Sequence, residues 1–318
     1  MRSVTYAFLG PEELAAKFAK KGTATDIGLY NAKHGDAHLN LVTAPRFPEK
    51  IMSLLLALDM ADEIVLWPQQ LDRSLGETVV AAELLGRTKG FLRVGPQLMI
   101  DQVKDLLSKT ALRDLTPSEE PEPVFRERLV ERAQPPPPGG SPVIPVDHSF
   151  PVKGVGTVIL ALVRNGEVKA HQTLQAFPST KTFDVRSVQV HDVDLPSAGA
   201  RSRVGLAVKG AEPEDVGRGK VLAPPGSLRV LAEGQSVGAS VTLSAFAKWQ
   251  PRPGAVLHLF HALQDVVARV EAFEPVGPLQ AKAQLKLEGA LAIAPGNAAL
   301  LVDVDNKAQR LVGRVDFT

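Results

Sequence analysis

The sequence contains no cysteine. This absence excludes disulfide bonds and thiolate metal sites, and it is typical of a cytosolic protein. A run of about 18 or more apolar residues, which a membrane-spanning helix requires, is also missing. Residues Met1 to Thr5 lack the basic start and the apolar core of a signal peptide. We therefore expect a cytoplasmic protein with no membrane partner.

The chain also lacks an excess of charge of either sign. It has 36 lysine and arginine residues, 35 aspartate and glutamate residues, and a net charge of +1. This balance gives no argument for a nucleic-acid-binding face, and we expect no DNA partner. With 318 residues, of which 44% are apolar and 22% charged, the chain is long enough for two or three globular domains.

The usual catalytic motifs are absent as well. There is no G-x-S-x-G, no H-E-x-x-H and no cysteine nucleophile. His34 and His38 have the i, i+4 spacing of helical metal ligands, but Gly35 and the strand expected after it favour a hairpin with Asp36 at the turn. We predict no catalytic residue, no metal site and no cofactor.

A proline- and glycine-rich stretch, PPPPGGSP at residues 135–142, divides the chain. Prolines cannot continue a helix, and glycines release the backbone. Before this linker, in residues 1–134, helical segments alternate with short apolar ones, which predicts an α/β domain with a parallel sheet. After it, short β-rich runs separated by Gly, Pro and Asp predict two β-barrel or sandwich domains, residues 143–225 and 226–318.

The stretch YAFLGPEELAAKFAKKG, residues 6–22, predicts a central strand that passes through Gly10 into a helix. Pro11 and the two glutamates that follow it favour a helix start. Residues that favour helices continue to Gly22, where we expect the helix to end.

Three pieces of the second half carry a resemblance to a known family. They are DHSFPVKGVGTV at Asp147–Val158, VRSVQ at Val185–Gln189 and RVGLA at Arg203–Ala207. Together they closely resemble the second domain of translational GTPases. They are most similar to the selenocysteine-specific elongation factors, relatives of elongation factor Tu. The resemblance implies two β-barrel domains, II and III, after the linker and a P-loop GTPase-like α/β domain before it.

The phosphate loop that this resemblance implies is degenerate. The motif G-x-x-x-x-G-K-[ST] begins at Gly10, but Ala15, Ala16 and Lys17 stand where Gly, Lys and Ser/Thr are needed. Two carboxylates, Glu12 and Glu13, would lie inside the loop and repel a triphosphate.

The other GTPase motifs also fail to match. Thr43-Ala44-Pro45-Arg46-Phe47 stands in place of D-T-P-G-H, so the Mg²⁺-linked Asp, the flexible Gly and the water-orienting His are all replaced. The base-reading [NT]-K-x-D is missing from GFLRVGPQLM. We interpret residues 1–134 as a pseudo-GTPase domain that keeps the fold without the chemistry; an α/β domain without GTPase ancestry is the alternative.

The resemblance also implies a candidate pocket for an aminoacyl or tRNA end in the first barrel, made by Asp147, His148 and Arg203. Structural roles for the same residues, at a strand start and as a brace of the barrel, remain an alternative. Two turns that use Gly-Asp in the family read His171-Gln172 and Arg201-Ser202 here, and they must change geometry or accept strain.

We therefore expect a non-enzymatic, elongation-factor-like protein that binds the translation machinery without hydrolysing GTP. Its expected partners are the ribosome's factor site, an aminoacyl-tRNA end, or another translation factor. Two alternatives stay open: a nucleotide-binding enzyme with non-standard motifs, and a protein-assembly module unrelated to ribosomes.

Overall fold

The computed structural model describes residues 2–246, 250–295 and 298–317. The chain divides into two compact units. One comprises Met1–Pro135, Ser244–Lys248 and Asp303–Gly313, and the other comprises Pro136–Leu243, Trp249–Val302 and Arg314–Thr318. Among the described residues, none of the helices has the length and apolar character that crossing a bilayer requires.

The first unit is an α/β domain built on one seven-stranded sheet. In chain order its elements are β1 (Arg2–Leu9), α1 (Glu12–Ala15), β2 (Lys20–Ala24), β3 (Gly28–His34), β4 (Ala37–Thr43), α2 (Ile51–Met60), β5 (Glu63–Leu66), α3 (Arg73–Leu84), β6 (Gly90–Leu92), α4 (Ile100–Leu107), β7 (Thr116–Pro117) and α5 (Glu122–Glu131). The strand order is β2-β3-β4-β1-β5-β6-β7, and β1 runs parallel to both of its neighbours. The predicted central position of the first strand is confirmed. The predicted parallel pairing holds for β4, β1, β5, β6 and β7, but β2 and β3 are joined antiparallel, so the sheet is mixed.

The hairpin predicted at Gly35 and Asp36 is also confirmed. β3 and β4 pair antiparallel from Gly28↔Thr43 to His34↔Ala37. Gly35 closes the turn with φ +60°, a left-handed conformation that glycine adopts without steric cost.

The helix predicted over residues 12–22 begins correctly but is wrong beyond Ala15. α1 starts at Glu12 and is only four residues long, and β2 follows it and pairs antiparallel with β3. Phe18 and Ala19, between these elements, are buried in the core. The burial of Phe18 and the backbone hydrogen bonds of β2 outweigh the helix propensity of the alanines and lysines.

The second unit contains the two β-barrels that the sequence predicts. The elements of the first barrel region are β8 (Ile144–Val152), β9 (Gly156–Leu162), β10 (Glu167–Lys169), β11 (Thr173–Phe177), β12 (Thr182–Val190), β13 (Val193–Leu195), β14 (Ser197–Gly199), β15 (Arg203–Lys209), a 3₁₀ turn (Pro213–Val216) and β16 (Val221–Ala223). Six of these strands form a ring in the order β11-β16-β8-β9-β15-β12, which the β11–β12 pairing closes. Nineteen buried residues, among them Ile159, Leu174 and Leu206, fill its core.

The second barrel closes in the order β18-β21-β20-β19-β23-β24. The strands from this part of the chain are β17 (Arg229–Leu231), β18 (Ser236–Leu243), β19 (Val256–His261), β20 (Gln264–Gly277), β21 (Gln280–Leu287), β22 (Leu291–Ile293), β23 (Ala299–Val302) and β24 (Leu311–Phe317). The predicted fold class, α/β followed by two β-barrels, is confirmed. The domain boundaries derived from the sequence stay predictions.

The two barrels pack against each other through small apolar residues. Val143 and Val221 meet Ala262 and Ala294 in one buried cluster. Ala262 and Leu263 form the two-residue turn between β19 and β20, with φ values of +49° and +62°. Such turns favour Gly and Asn because of these positive φ angles. Here both residues are apolar and buried, which indicates that burial of the side chains compensates the backbone cost.

The segment Asp303–Gly313, which follows β23 and includes the start of β24, belongs to the first unit. Its Arg310 forms a two-pronged ion pair with Glu77 of α3, in which Arg310 Nε donates to Glu77 Oε1 at 2.9 Å. Both side chains are buried. Burial alone raises the pKa of Glu77, but hydrogen bonds from Arg310 and its positive charge lower it further, and the net shift is downward.

Two turns that the sequence marks as departures from the family pattern accept backbone strain. His171 has φ +65° and Arg201 has φ +69°, so both occupy the left-handed region that glycine prefers. Each keeps a backbone hydrogen bond, to Val185 O at 2.7 Å and to Val163 O at 2.8 Å. Both turns therefore place a non-glycine residue in the left-handed region.

Replacing His171 with glycine should stabilise the protein. A non-glycine residue in the left-handed region costs the folded state roughly 1–2 kcal/mol. Glycine removes this cost, but its greater flexibility stabilises the unfolded state by roughly 0.5–1 kcal/mol. We expect His171→Gly to raise the free energy of unfolding by about 0.5–1 kcal/mol in urea titrations. The control is Glu233→Gly, an exposed turn residue outside the left-handed region, which should lose stability. A lower free energy of unfolding in both variants would contradict the conclusion that the backbone at His171 is strained.

Candidate functional site

Gly10 follows β1 directly, at the carboxyl edge of the parallel strands. A Cβ atom here would lie 2.8 Å from Trp67 Cβ and 3.0 Å from the Trp67 carbonyl oxygen, which is too close for any other residue. The Trp67 N–H donates to Leu9 O at 2.9 Å and holds this contact in place. Close packing against Trp67 therefore accounts for the glycine at the start of the loop.

The Glu12 carboxylate, at the start of α1, is held by two donors. Its Oε1 accepts from Lys21 Nζ at 2.9 Å and from the Tyr30 hydroxyl at 2.8 Å. Burial alone raises the pKa of Glu12, but these hydrogen bonds and the charge of Lys21 outweigh it, and the net shift is downward. A Cβ on Gly28 would lie 2.9 Å from Glu12 Oε1 and even closer to Thr43 Oγ1. The missing side chain at Gly28 thus leaves room for the side chains of Glu12 and Thr43.

The remaining loop positions carry no side-chain donor toward this carboxylate. Ala15 is fully buried, and Ala16 is the exposed C-cap of α1. Lys17 Nζ instead donates to Glu122 Oε1 on α5 at 2.6 Å. This pair is about half exposed, so its net contribution to stability is small, about 0–1 kcal/mol.

Arg93 is the first residue after β6, where the resemblance puts the base-reading tetrapeptide. The carbon of its guanidinium lies 4.6 Å from the Trp67 ring centroid and 4.6 Å from that of Phe125. Arg93 Nη2 donates to Glu120 O at 2.9 Å, and Nη1 donates to Ser118 Oγ at 3.2 Å. Burial lowers the pKa of Arg93, and nearby carboxylates oppose that shift. The guanidinium thus contacts two aromatic rings that are nearly perpendicular to each other, with an interplanar angle of 87°.

In the first barrel the structure brings two of the three predicted pocket residues into contact. Asp147 lies at a β-bulge of β8, between Val146 and His148, and bulges re-aim side chains. Its Oδ2 accepts from Arg203 Nη2 at 2.8 Å, and Arg218 Nε donates to its backbone oxygen at 3.0 Å. His148 follows along β8 and is half-buried.

This ion pair is largely desolvated. The Asp147 side chain is 0% exposed and that of Arg203 is 20% exposed. Asp147 Oδ1 and Arg203 Nε are buried and have no hydrogen-bond partner in the structure. The charge of Arg203 is therefore largely balanced by Asp147, while one atom of each group keeps unused hydrogen-bonding capacity.

The sequence reasoning missed most of the partners at these sites. Lys21, Tyr30 and Glu122 lie nine or more residues from the side chains they hold. No local motif marks them. The missing base-reading tetrapeptide was the only signal that pointed toward Arg93. Within the part of the chain that the structure describes, no group of three or more histidine and carboxylate side chains could hold a metal ion.

The fold of the whole chain is similar to solved elongation factors. It superposes on translation elongation factor SelB from Methanococcus maripaludis, solved in complex with the GTP analogue GPPNHP, with a TM-score of 0.83 and 18% identity. That match covers 100% of this chain and 79% of the other. For a bacterial selenocysteine-specific elongation factor, the TM-score is 0.79 at 17% identity, covering 100% and 58%.

Sequence comparison gives matches to other elongation factors and to a relative of similar length. The chain is 32% identical over 317 residues to the uncharacterized protein MJ0325 of Methanocaldococcus jannaschii, which covers 99% of this chain and 100% of that protein. It is 39% identical over 79 residues to the selenocysteine-specific elongation factor of the same organism, 25% of this chain and 17% of that factor. The chain belongs to one family with MJ0325, and part of it is similar in sequence to translational GTPases of the elongation-factor class. No family model matches it.

Elongation factor 1-alpha from Pyrobaculum calidifontis is also similar to part of this chain. Identity is 32% over 177 residues, which is 52% of this chain and 38% of that factor. The chain thus spans less than two thirds of the length of each elongation factor that it matches in sequence.

Neutralising Glu12 should weaken the first unit in a pH-dependent way. Because the folded-state pKa of Glu12 is lowered, its carboxylate stabilises the fold above its ordinary pKa, and this contribution is lost as the pH falls through the folded-state pKa. We expect Glu12→Gln to reduce the free energy of unfolding by up to about 1 kcal/mol at pH 7. In urea titrations the difference from wild type should shrink as the pH falls below the ordinary pKa of Glu12 and through its lowered folded-state pKa. Glu13→Gln, at an exposed neighbour, is the control, and an equal loss there would contradict this role.

Removing Arg203 should cost more than removing both members of its pair. Arg203→Met leaves the buried Asp147 carboxylate uncompensated, and breaking such a pair costs up to about 3–5 kcal/mol. The double variant Asp147→Asn/Arg203→Met should recover a large part of that loss in thermal unfolding. A double variant as unstable as the sum of the two single variants would show that the pair is not coupled.

Proposed function

We propose that this chain is an elongation-factor-like protein that binds the translation machinery and does not hydrolyse GTP. The observation that carries the proposal is the Glu12 carboxylate, held by Lys21 and Tyr30 beside Thr43, the residue in place of the Mg²⁺-linked Asp. A triphosphate with its Mg²⁺ ion needs cations and backbone N–H groups in such a place. A fixed carboxylate repels it.

The phosphate-binding groups do not fit a nucleotide either. Lys17, the one lysine near the loop position that needs it, donates to Glu122 instead. The helix after the loop, α1, has only four residues, so it offers little of the dipole that a long helix presents to an anion. Gly10 is required by Trp67 and needs no phosphate to explain it.

The base site supports the same conclusion. Arg93 lies at the position of the missing tetrapeptide, with its guanidinium in contact with the rings of Trp67 and Phe125. Opening this site for a guanine would separate a cation from two aromatic faces, which costs about 0.5–2 kcal/mol for each face. Neither recognition of guanine nor binding of its phosphates is favoured.

Without a nucleotide switch, the chain binds and leaves its partner by mass action. The partner we propose is the ribosome, an aminoacyl-tRNA end or another translation factor, in the cytoplasm. The candidate contact for an aminoacyl or tRNA end is Asp147, His148 and Arg203. Because Asp147 already balances Arg203 and is fully buried, a bound group would meet the exposed part of Arg203 and the half-buried His148.

The proposal predicts that nucleotides do not bind. In isothermal titrations with GTP, GDP and ATP, with and without Mg²⁺, we expect no micromolar binding, and we expect no phosphate release from GTP above background. The variant Ala15→Gly/Ala16→Lys/Lys17→Thr restores the loop residues but leaves Glu12, Thr43 and Arg93 in place. Loss of one positioning group alone typically costs about 10²-fold in rate, so this variant should also be inactive. Turnover by the wild-type chain would overturn the proposal.

A second experiment tests the partner. We expect the chain to co-sediment with ribosomes of its host, with an affinity that falls steeply as salt rises, because contacts with RNA phosphates release counterions. Arg186→Glu, an exposed change on β12 of the first barrel, should weaken binding, whereas Arg113→Glu, exposed in the first unit, should not. Equal binding by both variants, or no co-sedimentation at low salt, would contradict binding through the first barrel.

A further inference from the structure

A cavity of about 380 Å³ opens at the carboxyl edge of the first unit's sheet. It lies beside the ends of β1, β4 and β5 and the start of α3, where open α/β sheets bind ligands. Its volume falls in the range of small-molecule sites, about 300–1,000 Å³. None of the contacts described for Glu12, Lys17 or Arg93 fills it.

The walls of this cavity are apolar and fixed in place. Phe8, Leu54 and Leu75 contribute surface from the buried core, and Phe47 is half-buried at the wall. The Trp67 indole, another wall residue, donates Nε1–H to Val94 O at 3.1 Å. A site whose walls are already packed loses little entropy when a ligand enters.

The charge of the lining selects against anions. Among the described lining residues there is no lysine or arginine, and the one charged side chain is Asp72. Asp72 stays in position because Oδ1 accepts from Leu75 N at 3.0 Å and Oδ2 from Gln70 Nε2 at 2.8 Å. Gln70 and Ser74 add amide and hydroxyl groups that can pair with a neutral ligand.

We propose that this cavity is a binding site for a small, uncharged aromatic molecule and excludes anions, nucleotides included. Apolar walls supply the affinity, and the amide and hydroxyl groups orient a ligand N–H or O–H. A negative group would be moved from water to an apolar wall that holds no cation, with the exposed Asp72 carboxylate at its rim.

The test uses two fluorescent probes with the same ring system and different charge. N-phenyl-1-naphthylamine is neutral, and 8-anilinonaphthalene-1-sulfonate carries a sulfonate. Titrated into the full-length protein, the neutral probe should bind with one-to-one stoichiometry and at least about tenfold more tightly than the anion, as one interaction of about 1.4 kcal/mol implies. Equal affinity for the two probes, or no saturable binding of the neutral one, would overturn the proposal.

Two pairs of variants assign binding to this cavity. Ser74→Phe fills the space and should abolish binding of the neutral probe, whereas Ser108→Phe, exposed at the end of α4, should leave it unchanged.

Asp72→Asn keeps an N-cap acceptor for α3 and should strengthen binding of the anion several-fold. Asp101→Asn, exposed on α4, should not strengthen it. If Ser74→Phe lowers the melting temperature, Ala44→Leu fills the same cavity. If a folded variant with a filled cavity still bound the neutral probe, the proposed site would be refuted.

Discussion

The contact of the Arg93 guanidinium with the rings of Trp67 and Phe125 determines how the carboxyl edge of the first unit is built. These residues come from the ends of β5 and β6 and from α5, so one guanidinium joins three elements. Phe18 and Phe91 extend the cluster, with ring centroids 5.6 and 5.3 Å from Phe125. Because the cluster needs Phe18 in the core, α1 ends early, and because Trp67 lies under the loop, the loop must begin with glycine.

Several charged side chains of the first unit form ion pairs with other side chains of the same chain. Glu12 is paired with Lys21, Lys17 with Glu122, and Glu77 with Arg310. In a protein that binds a charged ligand, some of these charged side chains would have no ion-pair partner until the ligand binds. Here each group already has a partner, and an incoming phosphate would have to compete with those partners and repay their desolvation.

The sequence predicted the elements whose signals are local, and it failed where distant residues decide. β1, the hairpin at Gly35 and the barrels follow from alternation, turn residues and the family's motif series. The end of α1 did not, because the burial of Phe18 and the pairing of β2 with β3 depend on residues that lie elsewhere in the chain. At the candidate sites, the pair Asp147 and Arg203 came from the resemblance. The contact of Arg93 with the two rings has no local pattern, since its partners are 26 and 32 residues away.

The turn at Ala262 and Leu263 bears on how far the second barrel could serve as a separate module. Its two positive φ angles are tolerated in a place where both side chains are buried, and Ala262 packs against Val143 and Val221 of the first barrel. If the second barrel were excised, the same turn would keep its backbone cost and expose the Ala262 side chain to water. The barrels are therefore poorly suited to recombination as independent building blocks, and a gene fusion would need to transfer both together.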